Sequence, residues 1–151
     1  MNNIILVHMN EAKKTNEEQY IIGTVGLATC TGILLYSRKK EVAIVAHVSN
    51  NYENTIINML ELISDNKLDE DTIEYKIIKG SMYNQYQIDK KIETFFKSYP
   101  LLFKPMNIEE SSNIDKKTDS KEFLFDTKKG IFVTNNYDID EVIQNNNKLS
   151  I

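Results

Sequence analysis

The sequence predicts a single α+β domain over residues 1–151, with a mixed or antiparallel sheet core and two main flanking helices. Three observations predict it. Apolar runs rich in β-branched residues follow one another closely at 4–9, 20–25, 31–37 and 41–48. Two later segments, 52–64 and 87–99, repeat apolar residues at helical spacing. The order is strands, helix, strand, helix and then strands, whereas a doubly wound parallel fold alternates the two throughout, so that fold is excluded.

The elements follow in order. Residues 4–9 read as a first strand, with His8 in it as a partly exposed strand histidine, and the polar stretch 11–18 reads as a loop. Within the strands at 31–37 and 41–48, the runs 33–36 and 42–48 are apolar almost without alternation, as in strands covered on both faces, or on one face with a crowded edge. Arg38-Lys39-Lys40 between them fits a charged, solvated turn. Ile56, Met59, Leu60 and Ile63 form the apolar stripe of a helix, with a polar connection at 65–71. Ile73, Tyr75 and Ile77 alternate with Glu74 and Lys76 in a strand that ends at Lys79-Gly80-Ser81. Ile88, Ile92, Phe95 and Phe96 mark the second helix, stopped by Pro100. A short strand is expected within 101–108 and a long surface loop over 109–120. Thr127-Lys128-Lys129-Gly130 then turns a hairpin between 122–126 and 131–134, and the Asn-rich tail from Asn135 reads as peripheral.

Composition narrows the function classes. With 41% hydrophobic and 26% charged residues the chain resembles an ordinary soluble globular protein, and a net charge of −4 gives no electrostatic reason to expect nucleic acid. No apolar run approaches membrane-spanning length, so no membrane insertion is expected. The start, Met1-Asn2-Asn3-Ile4, lacks the form of a secretory signal. A single cysteine cannot form an internal disulfide, which fits a reducing, cytoplasmic setting; export into a host by a non-classical route stays open. One Cys and two His residues are too few for a usual structural zinc site, and no metal or other cofactor is implied.

The chemistry concentrates around Cys30 and His47. Cys30 stands at a joint between two apolar runs, after Gly23-Thr24-Val25-Gly26-Leu27-Ala28-Thr29, and His47 lies near the end of the next run. Strands so ordered fold back and bring thiol to imidazole, the minimum equipment of a nucleophilic cysteine enzyme. The structural alternatives are a small buried cysteine, a core histidine and, at Thr24, an ordinary strand residue.

Cys30 lies six residues after Thr24 (30 − 24) and His47 seventeen after Cys30 (47 − 30). That Thr, Gly-containing loop, Cys and His pattern resembles the chemoreceptor glutamine deamidase family CheD. Glu11-Ala12, Gly80-Ser81-Met82, Phe125-Asp126, Gly130 and Val133 fall where that family has comparable features. The same Cys-His deamidase architecture occurs in bacterial toxins of the cytotoxic necrotising factor type. The resemblance implies a CheD-like fold and a bacterial hydrolase that converts protein glutamine to glutamate through a Cys30 thioester. Its partner would be a protein presenting an exposed glutamine, in chemotaxis or in host signalling.

In that chemistry His47 ionises the thiol, protonates the departing ammonia and then activates water. Thr24 fixes the imidazole tautomer. Backbone N–H groups around Ala28, Thr29 and Cys30 hold the oxyanion, and Thr29 and Ser81 line the pocket. A thiol so activated is expected to alkylate below the pH of a free cysteine. Three substitutions at the site, Cys30→Ser, His47→Ala and Thr24→Ala, are expected to leave the fold intact.

The chain departs from the family in its loop (Ala28-Thr29 for Gly-Ser or Gly-Thr), after the histidine (Val48-Ser49-Asn50 for a Leu-Pro segment) and before the C-terminal hairpin (Ser120-Lys121-Glu122 for a Gly-rich stretch). These changes alter the pocket rim. They leave open an effector or toxin-like deamidase or transglutaminase acting outside chemotaxis, and a catalytically weak binding module on the same scaffold.

Overall fold

The computed structural model describes residues 3–82 and 86–134, and within them the α+β expectation is borne out. The first sheet joins β1 (Ile4–Val7), β3 (Ile21–Leu27), β9 (Ser120–Asp126) and β10 (Ile131–Phe132), with β8 (Asn113–Asp115) also paired to β9. Only β1 and β3 run parallel in it. The second sheet has the order β2 (Ala12–Lys14), β5 (Val42–Val48), β4 (Thr31–Ser37), β6 (Ile73–Lys79) and β7 (Phe103–Pro105). Its β6–β7 pair is parallel and the others antiparallel, so both sheets are mixed.

The side-chain alternation of β4 and β5 builds three layers. Leu34, Tyr36, Ala43 and Val45 face the first sheet and pack with Ile22, Phe123, Phe125 and Phe132. Ile33, Leu35, Ile44 and Ala46 face the other way, under α1 (Tyr52–Asp65) and α2 (Tyr86–Lys97). Both strands are therefore covered on both faces, which is why they read as continuous apolar runs. Met59 and Ile63 bring α1 down onto this layer; Ile92 and Phe96 do the same for α2. Phe96 is fully buried, stacked on Tyr75 at 4.7 Å and edge-on to Phe103 at 4.9 Å. Truncating such a ring to Ala costs about 3–5 kcal/mol.

Two expected loops contain strands. Residues 12–14 form β2 along the edge of β5, and part of the 109–120 stretch forms β8 against β9. Each is three residues long and held by main-chain pairing, so neither carries a side-chain pattern to read; Lys13 and Lys14 suit an open edge. His8 sits exposed just beyond β1, and the connection after α1 holds a helical turn at Leu68–Glu70. The turn at 38–41 and the hairpin closed at Gly130, with φ +66°, form as expected. The tail from Asn135 lies outside the described residues.

One close approach matters for the loop that carries Cys30. The segment after β6 straps that loop by three backbone bonds: Gly80 N–H to Cys30 C=O (3.1 Å), Ser81 N–H to Leu27 C=O (3.0 Å) and Met82 N–H to Ala28 C=O (2.9 Å). A Cβ on Gly80 would stand 2.2 Å from the Ala28 carbonyl oxygen and 2.7 Å from that of Cys30, and both are backbone atoms. Gly80→Ala is expected to push strap and loop apart and to cost about 2–3 kcal/mol, read by urea denaturation.

Candidate active site

His47 comes from β5 and projects between the two sheets. It pairs across the ladder with Gly32, whose missing side chain leaves room there. His47 is only 2% exposed. Its backbone is held on both sides by the turn after β1: Asn10 N–H donates to the His47 carbonyl (2.7 Å) and His47 N–H to that of Glu11 (3.0 Å). Asn10 takes a left-handed φ of 66°, which asparagine tolerates, and accepts a hydrogen bond from Ser49 Oγ (2.6 Å).

Thr24 of β3 is fully buried and reaches across from the opposite sheet. Its hydroxyl lies 2.5 Å from the Val7 carbonyl and 2.8 Å from His47 Nδ1. A hydroxyl has one proton, and the carbonyl can only accept it. The Thr24 oxygen must then accept from Nδ1–H, which leaves Nε2 as the basic nitrogen. Nε2 is sealed from solvent and has no hydrogen-bond partner. Burial, with a smaller contribution from His8, lowers the imidazole from 6.5 to about 4, against a weaker upward pull from Glu11. The ring is neutral at pH 7.

Cys30 immediately precedes β4. Its side chain joins the inter-sheet cluster that includes Leu27, Ile78 and Phe123, so it lies on the same sheet face as His47. It is 6% exposed, and no hydrogen bond links it to Nε2. Burial pushes the thiol above its ordinary value, and a hydrogen bond with the Thr29 side chain draws it part of the way back. Burial here works against an easily alkylated thiolate, and among the described residues no cation offsets it at the sulfur. The resting pair is thiol and imidazole, not thiolate and imidazolium.

The loop residues divide. Ala28 N–H is taken by the Gly26 carbonyl (3.1 Å), so it is not an oxyanion donor as it stands. Among the described residues the Thr29 and Cys30 amides have no acceptor, and Thr29 is exposed beside them. The Ser81 hydroxyl donates to the Asp119 carbonyl (2.6 Å) and ties the strap to the turn before β9. The Val7 carbonyl and Asn10 are not singled out by the sequence, and Glu11 is marked there only within the Glu11-Ala12 pair of the family resemblance. A cleft of about 540 Å³ lies elsewhere, between β6 and α2, and neither Cys30 nor His47 lines it. Among the described residues no group of three or more His, Cys, Asp or Glu side chains is placed to hold a metal, and no helix is long and apolar enough to cross a membrane.

The chain matches no protein-family model, and no curated protein matches it.

Thr24 and His47 are buried in the interior, so substituting either also carries a cost in stability. Truncating Thr24 strands the Val7 carbonyl and Nδ1–H, a loss of about 1–3 kcal/mol. His47 also makes stability pH-dependent. Its folded pKa lies below 6.5, so the unfolded chain binds the proton more readily. The stabilising contribution is present above pH 6.5 and is lost as the pH falls toward 4. The size is on the order of 3 kcal/mol over that window. His47→Asn, which keeps an N–H for Thr24, is expected to flatten this acid limb in urea melts at pH 7 and pH 4.5.

Proposed function

We propose that this chain is a hydrolase of the cysteine-dependent amidase class and, within it, a protein glutamine deamidase of the CheD kind, converting an exposed glutamine of a partner protein to glutamate. The observation that carries the reading is the Thr24 hydroxyl, which donates to Val7 and accepts from His47 Nδ1, so that the basic Nε2 is turned into the face it shares with Cys30. A core histidine satisfied for packing alone has no need of an unpaired Nε2. The Thr24, Cys30 and His47 spacing supports the same family resemblance.

The steps follow from the neutral resting pair. Substrate binding closes the gap between Sγ and Nε2, as is common when apo geometry is loose. The thiol proton passes to Nε2 while sulfur bonds to the carboxamide carbon, and the Thr29 and Cys30 amides receive the oxyanion. The imidazolium then protonates the amide nitrogen, the C–N bond breaks and ammonia leaves a thioester. Nε2 next takes a proton from water as its oxygen attacks, and the C–S bond breaks to give glutamate and the restored thiol. An amine in place of water would give transglutamination.

The altered rim, Ala28-Thr29 and Val48-Ser49-Asn50, supports a target other than an ordinary chemoreceptor, such as another bacterial or a host signalling protein. A second reading, a catalytically weak binding module, draws on the raised thiol and the missing Cys30–His47 hydrogen bond.

Mass spectrometry of candidate proteins incubated with wild type or Cys30→Ala, scored for Gln converted to Glu, separates the readings. Cys30→Ser is expected to lose essentially all turnover and His47→Ala to come close to it, whereas Thr24→Val should be milder, about tenfold in kcat. Because His47 must be neutral to accept the thiol proton, kcat/KM should hold well below pH 6.5 and fall only near pH 4. No conversion by wild type on any target, with thermal stability intact, would favour the binding module.

A further inference from the structure

Cys30 and the residue after it point to opposite faces of the second sheet. Cys30 faces the inter-sheet layer with His47, while Thr31, fully buried, faces the helices with Ile33 and Leu35. There the Thr31 hydroxyl donates to Asp89 Oδ1 at 2.6 Å, across 58 residues of sequence. Asp89 stands in the first turn of α2 and is 5% exposed. Its second oxygen, Oδ2, is buried and has no hydrogen-bond partner among the described residues.

A buried carboxylate with an orphan oxygen is a poor device for stability alone. Leaving one such acceptor unpaired costs free energy, and an apolar side chain of similar size avoids that cost. The helix N-terminus offsets part of it, since a carboxylate in the first turn is favourably placed. What the interaction supplies is geometry. Thr31 is the first residue of β4, paired to Val48 on one side and to Lys79 on the other. The strap at 80–82 fixes the carbonyls of the Cys30 loop from one direction, and Asp89 fixes the next residue from another.

We propose that Asp89 is a positioning residue: by gripping the Thr31 hydroxyl it sets where Cys30 stands relative to His47 and the Thr29 and Cys30 amides. It touches neither substrate nor reacting atoms. The proposal rests on the deamidase reading for its kinetic consequence but not for its structural one. A small displacement of a nucleophile is worth ten- to hundredfold in rate, which is what loss of the grip is expected to produce.

The test uses the full chain with Thr31→Val, Asp89→Leu and Asp89→Asn. The first removes the donor, the second the acceptor, and the third keeps an acceptor oxygen. Three quantities are measured for each: kcat and KM on a glutamine substrate, the rate of Cys30 alkylation by iodoacetamide at fixed pH, and the thermal midpoint. Thr31→Val and Asp89→Leu are expected to lower kcat at least tenfold with KM little changed. Their alkylation rate should depart from wild type by threefold or more. Asp89→Asn should restore kcat to within a few-fold of wild type. The proposal is overturned by a kcat and alkylation rate within twofold of wild type in both Thr31→Val and Asp89→Leu, or by losses that follow the thermal midpoint and are not rescued by Asn. If wild type deamidates nothing, alkylation alone decides: a change in Val and Leu but not in Asn upholds the positioning role while the deamidase reading fails.

Discussion

The Thr24 hydroxyl, held between the Val7 carbonyl and His47 Nδ1, is the contact on which the rest of the site depends. It is a buried hydrogen bond between sheets, and its polarity runs one way only. The carbonyl of β1 fixes the hydroxyl proton, the hydroxyl fixes the ring tautomer, and the tautomer decides which nitrogen is basic. A triad carboxylate would do the same and would also favour the imidazolium. A neutral hydroxyl orients the ring without stabilising charge, so burial controls the pKa and lowers it to about 4. The site is preorganised in geometry while both reacting groups remain uncharged.

That combination fits an interior position. A thiolate and an imidazolium placed beneath this rim would each need solvation that the surrounding Leu27, Ile78 and Phe123 cannot give. Keeping both neutral avoids the penalty, and among the described residues the Thr29 and Cys30 amides have no acceptor, so under the proposed reading they would receive the oxyanion. The strap at 80–82 explains how a loop with free N–H groups stays in place: its carbonyls at Leu27, Ala28 and Cys30 are the groups that are held.

Much of this was legible in the sequence, for identifiable reasons. Strands β4 and β5 announced themselves because both faces are buried, and the helices because Met59, Ile63, Ile92 and Phe96 recur on one side. Cys30 and His47 were legible together because strand alternation and a short turn place them on one face. What escaped is what carries no side-chain pattern. Strands β2 and β8 are defined by main-chain pairing alone, and the Val7 carbonyl and Asn10–Glu11 amides belong to the backbone. The thiol's environment also escaped, because its proton affinity depends on how deeply the loop is packed and not on which residues are near it in sequence.

The same alternation that joins Cys30 to His47 sends Thr31 to the other layer, and this ties the site to the helical face of the domain. Among the described residues, His47 Nε2 and Asp89 Oδ2 are buried with no hydrogen-bond partner, and they belong to residues linked to the Cys30–Thr31 corner from opposite sides. Unpaired buried polar atoms are unfavourable wherever they occur, and packing has no use for them. Two of them at one corner of the interior fit a place where geometry has been kept at the expense of stability. The proposed Cys30–His47 chemistry would account for the first and not the second, since Thr31 and Asp89 lie on the other face of the sheet from the thiol. A constraint acting through Thr31 on the strand that carries the nucleophile accounts for both, because each atom then belongs to a group that fixes one side of the same short segment.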